Sequence, residues 1–171
     1  MSELPFKPIT ERGDLGGKYV LLRTSINVPI KDGVVQNQFR VTRGLATILY
    51  LVKQKARVIV CGHIGRDGSE SAQPVADLIN QFVPVTFSAE VTGSKSQILR
   101  ERLQDGEVLF LENLRKDPRE RKNDAEFARE LADLAEIYVN DAFPVAHREH
   151  ASVVGVPKFL PSYAGMNFVH E

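Results

Sequence analysis

The stretch Val58-Ile59-Val60-Cys61-Gly62-His63-Ile64-Gly65-Arg66 decides the fold of this chain. It begins with apolar, mostly β-branched residues, which are typical of a buried β-strand. The apolar run stops at Gly62, and a histidine and an arginine follow in a loop that contains a second glycine. In a parallel α/β sheet, ligands bind just beyond the carboxyl ends of the strands. The stretch therefore predicts a buried strand that ends in a tight loop carrying His63 and Arg66, and a ligand site is expected there if other strands end in the same way.

Other apolar segments end in the same way, with polar side chains directly after a short strand pattern. They are 18–23 followed by Ser25 and Asn27, 107–111 followed by Asn113 and Arg115, and 137–139 followed by Asn140 and Asp141. His147 and Arg148 come shortly after the last of these segments. If the strands are parallel, their carboxyl ends share one edge of the sheet, so these polar side chains are expected to lie near one another.

Helical patterns separate the predicted strands. Apolar residues between 40 and 54 share one helical face, and Pro74 marks the first turn of a second helix. Two capping pairs, Ser94 with Gln97 and Asn123 with Glu126, indicate the starts of two more helices. Strands that alternate with helices indicate a parallel sheet covered on both faces. We therefore expect residues 1–171 to form a single α/β domain, a three-layer α/β/α Rossmann-like domain with a mainly parallel sheet, and irregular segments at both ends.

The composition excludes several functional classes. The chain has 22 Lys and Arg against 22 Asp and Glu, so the formal net charge is zero and argues against a nucleic-acid or membrane-surface partner. No apolar run approaches the roughly 20 residues of a membrane span, and the first residues lack the apolar core of a signal peptide. Cys61 is the only cysteine, so an intrachain disulfide is excluded and a buried, inert thiol is expected. These features predict a cytoplasmic protein.

The arginines near the predicted sheet edge point to an anionic ligand. A guanidinium group binds phosphate or carboxylate oxygens in a bidentate manner, and several such groups together would hold a doubly charged anion. The candidate cluster comprises Arg40, Arg66, Arg115 and Arg148, with His63 and His147 nearby. The sequence does not fix the position of Arg40 relative to the edge. The alternative is that each arginine pairs with a local carboxylate, such as Glu112, Asp117 or Glu149.

Familiar catalytic and cofactor motifs are absent from the sequence. There is no G-x-x-x-x-G-K-[ST] phosphate loop, no G-x-G-x-x-G dinucleotide fingerprint and no G-x-S-x-G nucleophile elbow. No grouping of cysteine and histidine has zinc-binding spacing.

The segments around the polar strand ends resemble phosphoglycerate kinase. Residues 22–29 resemble the family's R-V-D-F-N-V-P segment, 62–66 its S-H-L-G-R, and 111–115 its L-E-N-L-R. Residues 139–152 are similar to its V-N-D-A-F-x-x-A-H-R-x-H-A-S. The motifs occur in the family's order and cover nearly the whole chain.

The resemblance covers only the N-terminal lobe of that two-lobed glycolytic enzyme. It implies a lobe that binds a small phosphorylated carboxylate, 3-phosphoglycerate or 1,3-bisphosphoglycerate, for phosphoryl transfer to or from a nucleotide. Mg-ATP or Mg-ADP is implied for the whole family enzyme, on a separate nucleotide-binding lobe, and no cofactor is expected on this chain. We therefore expect this chain alone to lack kinase activity. The alternative is a stand-alone phosphoester-binding or docking module, or a folding unit with a vestigial site.

The resemblance also implies a role for each candidate residue. His63, Arg66, Arg115 and Arg148 would hold the phosphate of 3-phosphoglycerate, and Asn27 would lie near its carboxyl end. Arg40 would be the catalytic residue that stabilises the phosphoryl group in transit. Ser25 stands where the family has a substrate-binding aspartate, and its neutral hydroxyl would make a weaker hydrogen bond to the substrate.

Overall fold

The computed structural model describes residues 6–142 and 148–167 of the chain. The strands are β1 (Lys7–Pro8), β2 (Tyr19–Arg23), β3 (Ile30–Lys31), β4 (Val34–Val35), β5 (Arg57–Cys61), β6 (Val85–Phe87), β7 (Val108–Phe110), β8 (Ile137–Asn140) and β9 (Ser162–Ala164). The α-helices are α1 (Gln38–Arg43), α2 (Leu45–Lys53), α3 (Gln73–Ile79), α4 (Ser94–Arg102) and α5 (Ala125–Ala132). A π-helical turn, Ala151–Gly155, follows the fourth polar segment.

Seven strands form one sheet in the order β1-β9-β8-β2-β5-β7-β6, and neighbouring strands are parallel throughout. β3 and β4 form a separate antiparallel hairpin. The α/β class and the parallel sheet predicted from the sequence are confirmed.

The sheet buries both of its faces, which is why its strands read as continuous apolar runs rather than alternating ones. Along β2, Val20 and Leu22 contribute to one apolar cluster and Leu21 contributes to another. The first cluster includes buried residues of α1, α2 and α3, and the second includes those of α5. This is the three-layer arrangement that the sequence predicts.

The register of the central strands aligns their carboxyl ends along one edge of the sheet. Arg23, the last residue of β2, is paired with Cys61 on β5 and with Asn140 on β8. On the other side of β5, Val60 pairs with Phe110, the last residue of β7. The residues that follow these four strands therefore emerge at one edge of the sheet, as expected from the sequence.

Gly62 lets the chain leave β5 tightly. A Cβ atom at this position would lie 2.6 Å from Cγ1 of Ile26 and 2.8 Å from the backbone oxygen of Thr24. Side chains in a packed interior do not tolerate such approaches without backbone movement. Cys61, just before it, is fully buried as predicted, and burial raises the pKa of its thiol to about 12.

Two short strands, β1 and β9, were not predicted from the sequence; they are neighbours at one end of the sheet. Residues 7–8 and 162–164 fall in segments expected to be irregular, yet they form β1 and β9. Both strands are very short, and Pro8 is tolerated because β1 is an edge strand. Strands of two or three residues have too few side chains to show a periodic pattern.

The details of the helix starts also differ from the sequence prediction. The predicted helix between 40 and 54 is two helices that meet at Gly44. The N-cap of α4 is Gly93 rather than Ser94. The N-cap of α5 is Asp124, whose side chain accepts a hydrogen bond from the backbone N–H of Phe127. At α5, Asn123 and Asp124 are both favoured N-cap residues, so the sequence does not distinguish them. At α4 the N-cap glycine has no capping side chain, and the backbone N–H of Lys95 bonds to Glu90 instead.

Within the residues described, the helices are all too short or too polar to cross a membrane.

Candidate anion-binding site

The loop that follows β5 is held from two sides by asparagine side chains. The Oδ1 atom of Asn27 accepts a hydrogen bond of 3.0 Å from the backbone N–H of Gly65. The Oδ1 atom of Asn113 accepts one of 3.1 Å from the N–H of Ile64, and its Nδ2 donates one of 2.9 Å to the oxygen of Ile64. The asparagines that follow β2 and β7 thus fix the backbone that carries His63 and Arg66.

Asn113 is the anchor of this edge. Its side chain is fully buried, and besides Ile64 it binds the oxygen of Glu70 at 2.8 Å and the N–H of Arg115 at 3.1 Å. It satisfies the polar groups of two loops that carry candidate ligand-binding arginines. Sequence reasoning noted Asn113 only as a polar strand end and gave it no role; its signal was a polar residue directly after an apolar strand.

Arg115 lies against the same loop with part of its guanidinium unpaired. Its Nη1 donates a 2.6 Å hydrogen bond to the backbone oxygen of Gly65, and its side chain is almost fully buried. Its Nε is buried and has no hydrogen-bond partner among the described residues. Burial lowers the pKa of Arg115, and the positive charges of Arg148, Arg121 and Arg23 lower it further. Among the described residues this cation has no carboxylate partner, and an anion would reach its buried Nε only after a local movement.

Arg66 and Arg148 are exposed, and within 6–142 and 148–167 they have no hydrogen-bond or ion-pair partner. Two of the three carboxylates that could have paired locally are engaged elsewhere: Glu112 accepts hydrogen bonds from Ser71, Ala72 and Asn113, and Asp117 pairs with Arg119. The third, Glu149, forms no ion pair with any of the described residues. Among the described residues, the structure gives no support to local pairing of these arginines.

Arg40 joins the same edge, a placement that the sequence left open. Its guanidinium Nη1 donates a 3.0 Å hydrogen bond to the backbone oxygen of Asn27, and the side chain remains exposed. It lies in the first turn of α1, where the Asn37 side chain caps its backbone N–H at 3.4 Å. Ser25 is half-buried and has no hydrogen-bond partner in the described part of the chain.

His63 is buried and is electrically neutral. Burial lowers the pKa of its imidazole to about 2, and the positive charges of Arg23 and Arg115 contribute. Its Nδ1 lies 2.8 Å from Nη2 of Arg23. His63 therefore adds a hydrogen-bonding group to the cluster at neutral pH and not a further positive charge.

Arg23 is a member of the site that sequence reasoning overlooked. It is the last residue of the central strand β2 and is fully buried, which is rare for arginine. The available signal was an arginine at the end of an apolar strand, inside a motif quoted for the family resemblance. His147 falls outside the described residues.

The assembled site is a small cationic edge with preformed hydrogen-bond donors. Such an arrangement binds compact anions that carry phosphate or carboxylate groups. In the part of the chain that the structure describes, no group of three or more His, Cys, Asp or Glu side chains could hold a metal ion.

Replacing Asn113 by alanine is expected to lower the free energy of unfolding by at least about 2 kcal/mol, because it leaves buried backbone groups without partners. The matched control is Asn80→Ala, which removes the exposed Oδ1 that accepts from the N–H of Val85 and should lower it by about 1 kcal/mol or less. Urea denaturation of the two variants measures the difference. Equal losses would contradict the anchoring role of Asn113.

Comparison with known proteins places the chain in a family. A family model for phosphoglycerate kinase matches residues 10–171. Phosphoglycerate kinase from a Wolbachia strain of Drosophila simulans is 46% identical over 164 residues, which cover 92% of this chain and 41% of that protein. The one from Fervidobacterium nodosum is 44% identical, with 89% of this chain and 40% of that protein covered.

Solved structures agree with the sequence relatives. Phosphoglycerate kinase from Coxiella burnetii superposes with a TM-score of 0.83 at 32% identity, covering 97% of this chain and 43% of that one. The enzyme from Pyrococcus horikoshii gives a TM-score of 0.85 at 29% identity, covering 96% and 43%. The chain spans about two fifths of the length of the curated relatives that it matches. On these matches to its sequence and fold, the chain belongs to the phosphoglycerate kinase family.

Proposed function

We propose that residues 1–171 are the substrate lobe of a phosphoglycerate kinase and bind 3-phosphoglycerate or 1,3-bisphosphoglycerate. The observation that carries the proposal is the set of arginines at the carboxyl edge of the sheet that have no carboxylate partner among the described residues. Family membership supplies the ligand class: a small carboxylate that also bears phosphate.

Burial makes Arg115 the strongest candidate for the phosphate. In the low dielectric of a buried position, a charge-assisted hydrogen bond gains strength, and Arg115 has no carboxylate partner among the described residues. Arg66 and Arg148, both exposed, would close around the anion from the solvent side. His63 would add a neutral donor. The phosphate would then be bound chiefly by arginine charges, which do not titrate near neutral pH.

Ser25 alters the site in a way that affects the other end of the substrate. The family resemblance places an aspartate here, and its carboxylate would accept a charge-assisted hydrogen bond from the substrate hydroxyl. A serine makes a neutral bond, and the loss would weaken binding by about 1–3 kcal/mol if the bond is buried. Removing a negative charge near an anionic ligand offsets part of that loss.

Arg40 is the proposed catalytic residue. Its guanidinium is exposed at the same edge, where it donates a hydrogen bond to the backbone oxygen of Asn27. Phosphoryl transfer is governed by positioning and by neutralising the charge on the transferred oxygens, which a fixed cation supplies. The family resemblance implies that the nucleotide binds to a separate lobe, and we propose no nucleotide contact for these residues. A cytoplasmic location follows from the proposed glycolytic role.

Purified chain of these 171 residues is expected to show no turnover above a protein-free control when it is given 3-phosphoglycerate and Mg-ATP. The physical reason is that transfer requires two lobes to close around both reactants and exclude water. A coupled assay of ADP formation measures it. Turnover restored by adding the nucleotide lobe of a relative would favour the substrate lobe over a stand-alone binding module, whereas turnover by the chain alone would contradict the proposal.

Isothermal titration calorimetry with 3-phosphoglycerate tests the binding role. The wild-type chain should bind saturably, and Arg66→Ala should weaken binding about 10- to 100-fold because it removes charge-assisted hydrogen bonds. Arg102→Ala is the control, since Arg102 is exposed at the end of α4, toward the opposite edge of the sheet. It should leave the affinity unchanged. No heat at millimolar ligand, or equal affinities for the two variants, would overturn the assignment.

A further inference from the structure

A chain of buried polar side chains lies behind the candidate site. Arg23 donates a 2.9 Å hydrogen bond from Nε to Oγ of Ser152, one of 2.8 Å from Nη1 to the backbone oxygen of Thr24, and one of 2.8 Å from Nη2 to Nδ1 of His63. Arg23 and Ser152 are fully buried and His63 nearly so. The guanidinium group is thus held at three points in the interior.

Ser152 connects Arg23 to a buried carboxylate. Glu120 is fully buried and accepts hydrogen bonds from the backbone N–H of Ser152 at 2.7 Å and from its hydroxyl at 2.5 Å. A hydroxyl has a single proton, so Ser152 donates to Glu120 and accepts from Arg23. The positive charge of Arg23 is therefore balanced by Glu120 across one hydroxyl group, as buried charges require. We name Glu120, Ser152, Arg23 and His63 the buried relay.

The direction of the last hydrogen bond determines the tautomer of His63. A guanidinium group has only donors, so Nδ1 of His63 must carry a lone pair. The remaining ring proton then resides on Nε2. No described residue is a partner of Nε2, and Nε2 is not among the buried nitrogens that lack a partner, so it is accessible. The ring therefore presents an N–H donor and not an acceptor.

The surroundings of His63 disfavour a second proton. The charged and titratable groups around it are Arg23 from β2, Arg115 from the loop after β7, and Arg148 and His150 from the segment before the π-helical turn. All of these groups are cationic or become so on protonation. Burial and these charges both act against an imidazolium, which agrees with the lowered pKa of the ring.

We propose that Arg23, held by Ser152 and Glu120, is a positioning residue that fixes His63 as the neutral Nε2–H tautomer and makes it a pH-independent hydrogen-bond donor at the anion site. The tautomer of His63 is fixed in the protein without ligand. That its N–H serves a bound anion rests on the proposed function.

Nitrogen-15 NMR of the imidazole rings in the complete 171-residue chain, with no ligand added, tests the inference directly. The His63 signals are assigned by their loss in His63→Gln. We expect a lone-pair nitrogen at Nδ1 and a protonated nitrogen at Nε2, without change from about pH 5 to about pH 8, where an ordinary histidine titrates. Protonation of His63 within that range, or a proton on Nδ1, would overturn the inference whether or not the variants fold.

Two substitutions isolate the contribution of Arg23. Arg23→Met removes the donors and the charge, so the fixed tautomer should be lost, with a mixture of ring forms or a titration within the same range. Arg23→Lys retains donors only, so Nδ1 should still carry its lone pair. The matched control is Tyr138→Phe, which removes a buried 2.6 Å hydrogen bond to the backbone oxygen of Ser152 and should leave the His63 signals unchanged. An unaltered His63 in folded Arg23→Met, or Nδ1–H in Arg23→Lys, would refute the role of Arg23.

Titration with 3-phosphoglycerate at about pH 5.5 and about pH 7.5 tests separately whether His63 donates a hydrogen bond to the bound anion at both pH values. After correction for protonation of the ligand, the effect of His63→Gln on affinity should be the same at both pH values, because the wild-type ring is neutral at both. A larger effect of His63→Gln at the lower pH would contradict pH-independent donation by His63. Failure of the ligand to bind would overturn both the proposed function and the role of His63 in anion binding. The NMR result on the tautomer would stand in that case.

Discussion

The parallel pairing of β2 with β5 is the constraint on which the rest of the structure depends. It pairs Arg23 with Cys61, the last residues of the two strands, so that both strands end at the same edge of the sheet. The pairing continues to β8 on one side and β7 on the other, and the polar segments after all four strands meet at one edge. The same ladder buries apolar side chains on both faces, so a shift of register would disrupt the core and the site at once.

Polar groups that a core normally excludes are retained at this edge because they hold one another. Asn113 satisfies the backbone of two loops, and Glu120 balances Arg23 through Ser152. Removing one partner from such a network leaves a buried polar group unpaired, whereas the intact network is stable and rigid. The rigid interior supports a layer of arginines whose charges are not neutralised by any carboxylate among residues 6–142 and 148–167. If the proposed function holds, this preorganised arrangement would lower the ordering cost of binding an anion.

The central part of this fold could be predicted from sequence because its strands are apolar on both faces and end abruptly in polar residues. The stretch from Val58 to Arg66 indicated a strand followed by a tight loop that carries two polar side chains. The edge strands could not be predicted, since two or three residues carry no period and Pro8 argues against a strand in most contexts. The N-cap of α5 was misplaced by one residue because neighbouring polar residues compete for the same backbone N–H groups, and that of α4 because its cap is a glycine without a capping side chain.

The sequence indicated the charged side chains of the candidate site, but not the hydrogen bonds that hold them in place. Arg66 and Arg115 follow apolar strands and stand out in the sequence, whereas the position of Arg40 depends on a hydrogen bond to Asn27 that only the folded chain reveals. Arg23 was read as part of a strand because its neighbours are apolar. The neutral state of His63 depends on burial and on arginines distant in sequence, so no local pattern predicts it.

The central claim is that the carboxyl edge of the sheet is an anion site for a phosphorylated carboxylate. Mapping amide chemical shifts while 3-phosphoglycerate is added to the labelled chain tests that claim most directly. The account predicts that the largest changes occur at Ile64, Gly65 and Arg115, and that Asp105 and Gly106, near the amino end of β7, change little. Changes centred on the opposite edge, or none at saturating ligand, would contradict it.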